Sequence, residues 1–307
     1  MTEHPDWRAR FLQQHDLPQA FLSQAQTWFD PLAKAVKSHV ARANALLIVG
    51  INGCQGSGKS TLANYLVESL RESHHIDAIQ LSLDDFYLPR ADRQKLGIDV
   101  HPLLATRGVP GTHDIAMLTA TLRQLGETHH FPIRLPRFDK ASDDRQPRDR
   151  WPVIDSKPDV IVVEGWCLGA LPQPVDELQT PVNELERRQD PEGLWREYVN
   201  TALAEFHSVY QCIDLWIMLQ APSFDCVFEW RLEQERKLQQ TRPRGSNIMN
   251  EAELAQFIQH YQRLTEACLR DMPSRVDYLY KLDALRNITA VRPSKAWMEK
   301  ESERYHR

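Results

Sequence analysis

Apolar positions along the chain follow two alternating rhythms. Before residue 43, Phe21, Trp28, Phe29, Leu32, Val36 and Val40 fall at helical spacing. A short apolar run over 45–52 then predicts a strand, and 60–73 a helix. Residues 76–83 alternate apolar and polar side chains, as a strand does. Helical patterns return over 114–125, with Thr112 or His113 at the start, and over 195–210, 223–240 and 251–269. Strand-like runs occupy 133–138, 160–163, 213–219 and 276–282. Val160-Ile161-Val162-Val163 is wholly apolar, the mark of a strand covered on both faces. Polar, turn-rich stretches over 89–111, 139–151 and 172–193 read as loops and a surface excursion. Alternation of this kind predicts an α/β fold, a doubly wound parallel sheet of about five strands flanked by helices. Residues 1–43 form an N-terminal helical extension packed on a domain over 44–292, and 293–307 is a C-terminal tail.

The turn between the first strand and its helix brings in the first chemistry. Gly53-Cys54-Gln55-Gly56-Ser57-Gly58-Lys59-Ser60 matches G-x-x-x-x-G-K-[ST], in the strand–loop–helix context that a phosphate cradle requires. Glycines let backbone N–H groups close around a phosphate, and the helix N-terminus adds positive potential. The expected nucleotide-binding residues are Gly53, Gln55, Gly56, Ser57, Gly58, Lys59, Ser60 and Thr61. Lys59 would reach the β- and γ-phosphates, and Ser60 would ligate Mg²⁺. A P-loop NTPase fold holding a nucleoside triphosphate follows. Cys54 beside that helix is read as an incidental loop residue.

Ligands of open α/β sheets lie beyond the carboxyl ends of the strands, and two further strand ends here carry acids. Glu164 closes the apolar run at 160–163 and would hold Mg²⁺ through water or orient the nucleophile. Asp84 and Asp85 are adjacent, so in extended backbone they point to opposite sides and only one faces the γ-phosphate. Asp84 is the expected base, taking the acceptor hydroxyl's proton. Asp85 stands as either a turn cap or a substrate contact. Arg231, Arg236, Arg242 and Arg244 gather on and after one helix, near Lys237. Guanidinium forks suit a phosphoryl group in transfer, so 231–250 reads as a helical lid with Arg231 and Arg236 as catalytic cations.

Composition narrows the partners. In the 307 residues, a net charge of −5 argues against a general nucleic-acid binder, while leaving room for a local basic cluster that takes an anion. Five widely spaced cysteines with no C-x-x-C pair fit a reducing compartment. A polar start without an apolar core, and no run of transmembrane length, point to a cytoplasmic protein away from membranes.

Larger blocks carry a resemblance. Asp84-Asp85-Phe86-Tyr87-Leu88 is followed by Arg107-Gly108-Val109-Pro110-Gly111-Thr112-His113-Asp114 and Pro136-Arg137-Phe138-Asp139-Lys140-Ala141. Glu164-Gly165-Trp166-Cys167-Leu168-Gly169 comes next, then Trp230-Arg231-Leu232 with Glu235. In that order they resemble the plant- and fungal-type D-glycerate 3-kinases, within the phosphoribulokinase/uridine kinase group of P-loop kinases. The resemblance runs from about Leu46 to Asn287. It implies ATP- and Mg²⁺-dependent phosphorylation of a small hydroxylated metabolite, with Asp84 as base and Glu164 near the metal. One departure stands out: the family's loop commonly carries Gly-Asp-Arg where this chain has Asp143-Asp144-Arg145.

A small anionic hydroxy acid needs a cationic fork and hydrogen-bond partners for its hydroxyls. Asp85, Tyr87, Arg107, His113, Arg137, Lys140 and Arg145 are the candidates for these contacts. A nucleoside or pantothenate-like acceptor is the alternative within the class. A nucleotide-gated ATPase switch is the alternative outside it, although the guanine motif N-K-x-D is absent.

Overall fold

The computed structural model describes residues 6–43, 45–241 and 249–293. Two N-terminal helices, α1 (Trp7–Gln14) and α2 (Ala20–Ala43), precede β1 (Leu47–Gly53), the phosphate loop and α3 (Lys59–His74). Then come β2 (Ala78–Ser82), α4 (Arg90–Asp99) and α5 (Ile115–Gly126). Two small ladders follow, β3 (Ile133–Arg134) with β6 (Val153–Ile154) and β4 (Phe138–Asp139) with β5 (Asp144–Arg145). The rest is β7 (Val160–Gly165), α6 (Val175–Gln179), α7 (Glu184–Gln189), α8 (Leu194–Ala202), α9 (His207–Tyr210), β8 (Leu215–Gln220), α10 (Asp225–Thr241), α11 (Glu251–Asp271), β9 (Tyr278–Leu282) and β10 (Ile288–Pro293).

The main sheet has the order β10-β9-β8-β1-β7-β2. All its pairings are parallel except β10 with β9. The five parallel strands are those expected from the apolar runs, and the antiparallel sixth is an addition. None of its residues is fully buried and half are exposed, and its end at Pro293 suits an edge strand that needs no further ladder bond. Every residue of β1 and β7 is buried, as central strands covered on both faces require, the polar Asn52 and Glu164 lying toward their carboxyl ends. Alternate side chains feed two cores. Leu47, Val49 and Ile51 pack with the N-terminal helices and α3 on one face, and Ile48, Ile161 and Val163 with α5 and α11 on the other.

Three stretches differ from their expected form. The 89–111 segment contains α4, where the fully buried side chain is Arg93. Its guanidinium donates to the carbonyls of Leu88 (3.1 Å), Ala105 (3.0 Å) and Asp143 (2.7 Å). A helix anchored by an arginine leaves no apolar period to read. The 133–138 strand is reduced to two-residue ladders, because Pro132 and Pro136 bring no N–H to extend them. The 172–193 excursion is pinned by buried charges. Glu186 accepts from Arg263 of α11 at 2.8 and 2.6 Å, and Arg196 donates to the Asp190 carbonyl at 3.0 Å. At the start of α5, Asp114 is the cap, accepting from the Met117 N–H at 3.0 Å. Among the described residues no helix is long and apolar enough to cross a membrane.

Candidate active site

Gly56 and Gly58 hold φ at 80° and 90°, where a side chain is penalised. At Gly56 space adds to conformation, since a Cβ would lie 2.5 Å from that of Trp230. At Gly58 a Cβ would meet nothing within 4 Å, so conformation alone selects glycine. Gly58 caps α3 without a side chain, which leaves first-turn N–H groups available to an anion. The buried Ser57 Oγ and Gln55 Oε1 have no hydrogen-bond partner, the condition in which a ligand's polar atoms are welcome. Burial pushes the Cys54 thiol up to about 12, so it is an inert part of the loop.

Lys59 and Ser60 open onto a cavity of about 260 Å³, with Gln55 and Gly56 on its margin. Gly53 is buried beneath the loop, and Ser57, Gly58 and Thr61 face its other flank. In the sheet, Glu164 of β7 is level with Ile51 of β1 and Ser82 of β2, so three strands deliver their carboxyl ends to one place. Ser60 Oγ donates to Glu164 Oε1 at 3.0 Å. Glu164 is 4% exposed, and its Oε2 is buried without a partner. An orphan carboxylate oxygen beside a serine hydroxyl fits Mg²⁺, which takes one or two protein oxygens and fills its shell with phosphate and water. Among the described residues no cluster of three acidic, histidine or cysteine side chains would hold a metal alone. The residues therefore suit a cation that arrives with a nucleotide.

After β2, Ser82 Oγ accepts from the Asp84 N–H at 3.3 Å and starts one tight turn, Leu83–Phe86. The buried Leu83 and Phe86 anchor that turn and leave Asp84 in the cavity wall. Asp84 accepts from the Tyr87 hydroxyl at 2.9 Å and from Lys140 Nζ at 2.6 Å. Burial pushes its carboxyl up, but the charges of Lys140 and Lys59, with those two hydrogen bonds, more than offset this. Asp84 is held well below the usual carboxylate range.

The structure does not bring Asp85 to the cavity. Its carboxylate accepts from Arg137 at 3.3 Å and from the Phe138 N–H at 3.2 Å, and so braces β4 from outside. Burial raises its carboxyl, against the pull of Arg137. The two aspartates part because a 3₁₀ turn sets successive side chains about 120° apart, in place of the expected extended alternation. Arg137 is committed to the same brace.

Of the other candidate substrate residues, Tyr87, Arg107 and Lys140 line the cavity, and His113 and Arg145 stand behind it. His113 is 4% exposed and stacks on Tyr87 at 4.5 Å. Burial lowers its imidazole to about 4 despite the nearby Asp84 charge, so it is neutral at physiological pH. Arg145 donates to the Tyr87 carbonyl at 2.9 Å and to Asp114 at 3.2 Å. Arg107 lies 5.5 Å over the Phe138 ring and pairs with Asp143. Asp143 has a φ of 56°, which explains how the chain dispenses with the family's glycine: aspartate tolerates the left-handed region. The buried Arg93 holds the Asp143 carboxylate at 3.1 Å.

Arg231 of α10 also lines the cavity, donating to Glu235 at 2.6 Å. Arg236 is exposed and away from that lining. Arg242 and Arg244 lie outside the described residues, as does the backbone of 242–248 in the expected lid.

Three aromatic wall residues had no role in the sequence reading: Trp166, Phe257 and Tyr261. Trp166 donates to the Gly108 carbonyl at 2.9 Å, and Tyr261 meets it edge-on at 4.9 Å. Phe257 and Tyr261 are four apart on α11, a spacing that core residues share. Trp166, directly after Glu164-Gly165, was the one visible signal.

No family model matches the sequence. The chain is 32% identical over 268 residues to the uncharacterized kinase mug58 of Schizosaccharomyces pombe, an alignment covering 84% of this chain and 90% of that protein. It is 28% identical over 224 residues to the chloroplastic D-glycerate 3-kinase of Arabidopsis thaliana, covering 70% of this chain and 46% of that one. The solved D-glycerate 3-kinase from Cryptococcus neoformans superposes with a TM-score of 0.72 at 26% identity, over 87% of this chain and 99% of the other.

Proposed function

Because the chain belongs to the D-glycerate 3-kinase family, within the phosphoribulokinase/uridine kinase group of P-loop kinases, we propose that it transfers the γ-phosphoryl group of ATP to D-glycerate, giving 3-phosphoglycerate. The observation that carries this reading is the Asp84 carboxylate, held ionised in the same cavity as Lys59, Ser60 and Glu164. ATP is the phosphoryl donor of a small-molecule kinase of this kind. Mg²⁺ held near Ser60 and Glu164 would neutralise phosphate charge.

In this account Asp84 accepts the acceptor hydroxyl's proton as that oxygen forms its bond to the γ-phosphorus and the bond to the ADP oxygen breaks. Lys59 and Arg231 stabilise the charge on the phosphoryl oxygens. The loop residues Gly53, Gln55, Gly56, Ser57, Gly58 and Thr61 bind the nucleotide. Arg107 and Lys140 supply the cationic fork for the glycerate carboxylate, and Tyr87 orients Asp84. Asp85, Arg137, His113 and Arg145 act as supports of that wall, while Arg236 takes no direct part. Five free cysteines suit a reducing compartment, and we place the protein in the cytoplasm.

Aromatic Trp166, Phe257 and Tyr261 are the observation that favours the alternative acceptor, a nucleoside, since bases stack on such walls. Two cationic side chains on the acceptor side, Arg107 and Lys140, facing a volume of about 260 Å³ that Lys59 and Arg231 also line, favour the small anion. Coupled ADP release across both glycerate enantiomers, uridine and pantothenate separates the two. Turnover with D-glycerate is expected, and turnover with uridine or pantothenate but not glycerate would sink the reading.

A further inference from the structure

Both oxygens of the Asp84 carboxylate are already occupied. Oδ1 accepts from the Tyr87 hydroxyl at 2.9 Å, and Oδ2 accepts from Lys140 Nζ at 2.6 Å. The two donors are held very differently. Tyr87 is buried, stacked on His113 at 28°, edge-on to Phe138 at 5.2 Å and bonded through its carbonyl to Arg145. Lys140 is exposed, and among the described residues its ammonium hydrogen-bonds to Asp84 alone. It leaves the backbone in the turn between β4 and β5, where Asp139 accepts from the Ala141 N–H at 2.9 Å and the Ser142 hydroxyl at 2.8 Å. That turn fixes the root of the side chain, while a four-carbon stem leaves the ammonium free to swing.

We propose that Lys140 is a cover on the base that the substrate itself removes: the acceptor's anionic group draws the ammonium off Asp84 Oδ2, and only then does that oxygen take the hydroxyl's proton. In this role Lys140 selects for an alcohol that carries a carboxylate, and it selects in the chemical step as well as in binding. The inference rests on the proposed reading of Asp84 as base and of the acceptor as a hydroxy acid, and it adds the order of events.

A carboxylate paired with an ammonium is a weak proton acceptor, because the arriving proton must share the oxygen with a positive charge. Burial raises the Asp84 carboxyl, but the charges of Lys140 and then Lys59 outweigh it. Arg107 and Arg231 line the same space and are paired with Asp143 and Glu235. A bound triphosphate would engage Lys59, which leaves Lys140 as the charge still covering the base. Passing Lys140 from one carboxylate to another replaces one charge-assisted hydrogen bond by a like one, so the exchange costs little. A neutral alcohol or a water molecule offers no such partner and meets a covered base.

The test pairs D-glycerate with its neutral amide, D-glyceramide, at saturating Mg²⁺ and ATP. In the original chain kcat for the amide should lie roughly 10²-fold below that for D-glycerate, the scale of a base withheld. Lys140→Met removes cover and anchor together: the KM for D-glycerate should rise about tenfold, while kcat for the amide climbs about tenfold above its value in the original chain. Lys140→Gln, a second neutral replacement at this exposed position, should give the same gain. A residue that only anchors the carboxylate would raise KM and give the amide nothing, so no gain in either variant would overturn the inference. ATP hydrolysis without any acceptor separates this result from a failure of the acceptor reading. It should run about tenfold faster in Lys140→Met, and fall back when Asp84→Asn is added. If the original chain does not turn over D-glycerate, the acceptor reading fails and hydrolysis alone judges the cover, an unchanged rate overturning it.

Discussion

On the phosphate side of the cavity the structure works through backbone: one continuous run, Gly53 to Ser60, bent by two left-handed glycines and backed by Trp230. On the Asp84 side the opposing wall is made of side chains from separate stretches, Tyr87, Arg107, Lys140 and Arg231, held by hydrogen bonds and ion pairs. A backbone cradle has its geometry fixed by φ and ψ, so it tolerates almost no change in residue type and little in spacing. A side-chain wall has its geometry fixed by second partners. Asp143 holds Arg107, Arg93 holds Asp143, and His113 backs Tyr87. In the proposed account the donor half should therefore be common to many kinases, and the side-chain wall is where one acceptor would be told from another.

The sharpest way to break this comparison is to damage each half separately. Asp84→Asn should lower kcat by roughly 10²- to 10⁴-fold while calorimetry shows ATP binding retained, because general-base loss leaves the phosphate cradle intact. Near-normal turnover in that variant would remove Asp84 from the mechanism. Next in size, Arg107→Ala should raise the KM for the acceptor about 10- to 100-fold, the worth of a charge-assisted contact, with the KM for ATP little changed. An ATP KM that rose equally would show that the two halves are not separable.

His113 tests the supporting layer by pH. Its folded value near 4 lies below the ordinary 6.5, so between those values the unfolded chain binds the extra proton. Its contribution is intact above about pH 6.5 and lost as pH falls toward 4, on the order of 2 kcal/mol between pH 7 and 5. Denaturant titrations at the two pH values should show a smaller drop for His113→Phe than for the original chain. An equal drop in both proteins would assign the acid sensitivity elsewhere. The smallest effect is expected at Arg236, where replacement by alanine should leave kcat/KM within about twofold. A large loss would mean that this exposed side chain reaches the phosphoryl group in a closed form.

The same contrast explains what the sequence made legible. The conformation of the phosphate loop was legible, because a backbone turn leaves its requirement in residue types at fixed spacing. The five parallel strands were legible because burial on both faces demands unbroken apolar runs. Asp84 and Asp85 were separable in principle, although the separation arises from a 3₁₀ turn that strand alternation does not describe. Within 107–145 the sequence shows a surplus of charge but not which guanidinium faces inward. Arg107 and Lys140 reach the cavity, while Arg137 and Arg145 are spent on Asp85 and Asp114. That choice depends on partners distant along the chain. Tyr261 and Phe257 were invisible for a related reason, since an aromatic pair on a helix looks the same whether it lines a core or a cavity. Arg93 is the extreme case, a charged residue in the first turn of α4 that only the folded chain shows to be an anchor.

The central claim is that an ionised Asp84 in a phosphate-loop cavity serves transfer to a small hydroxy acid. Phosphorus NMR of the protein with Mg²⁺, ATP and D-glycerate tests it most directly, run in parallel with Asp84→Asn. The account predicts ADP and 3-phosphoglycerate appearing in equal amounts, with both signals suppressed in the variant. ADP accompanied by inorganic phosphate alone, formed at the same rate in both proteins, would contradict it.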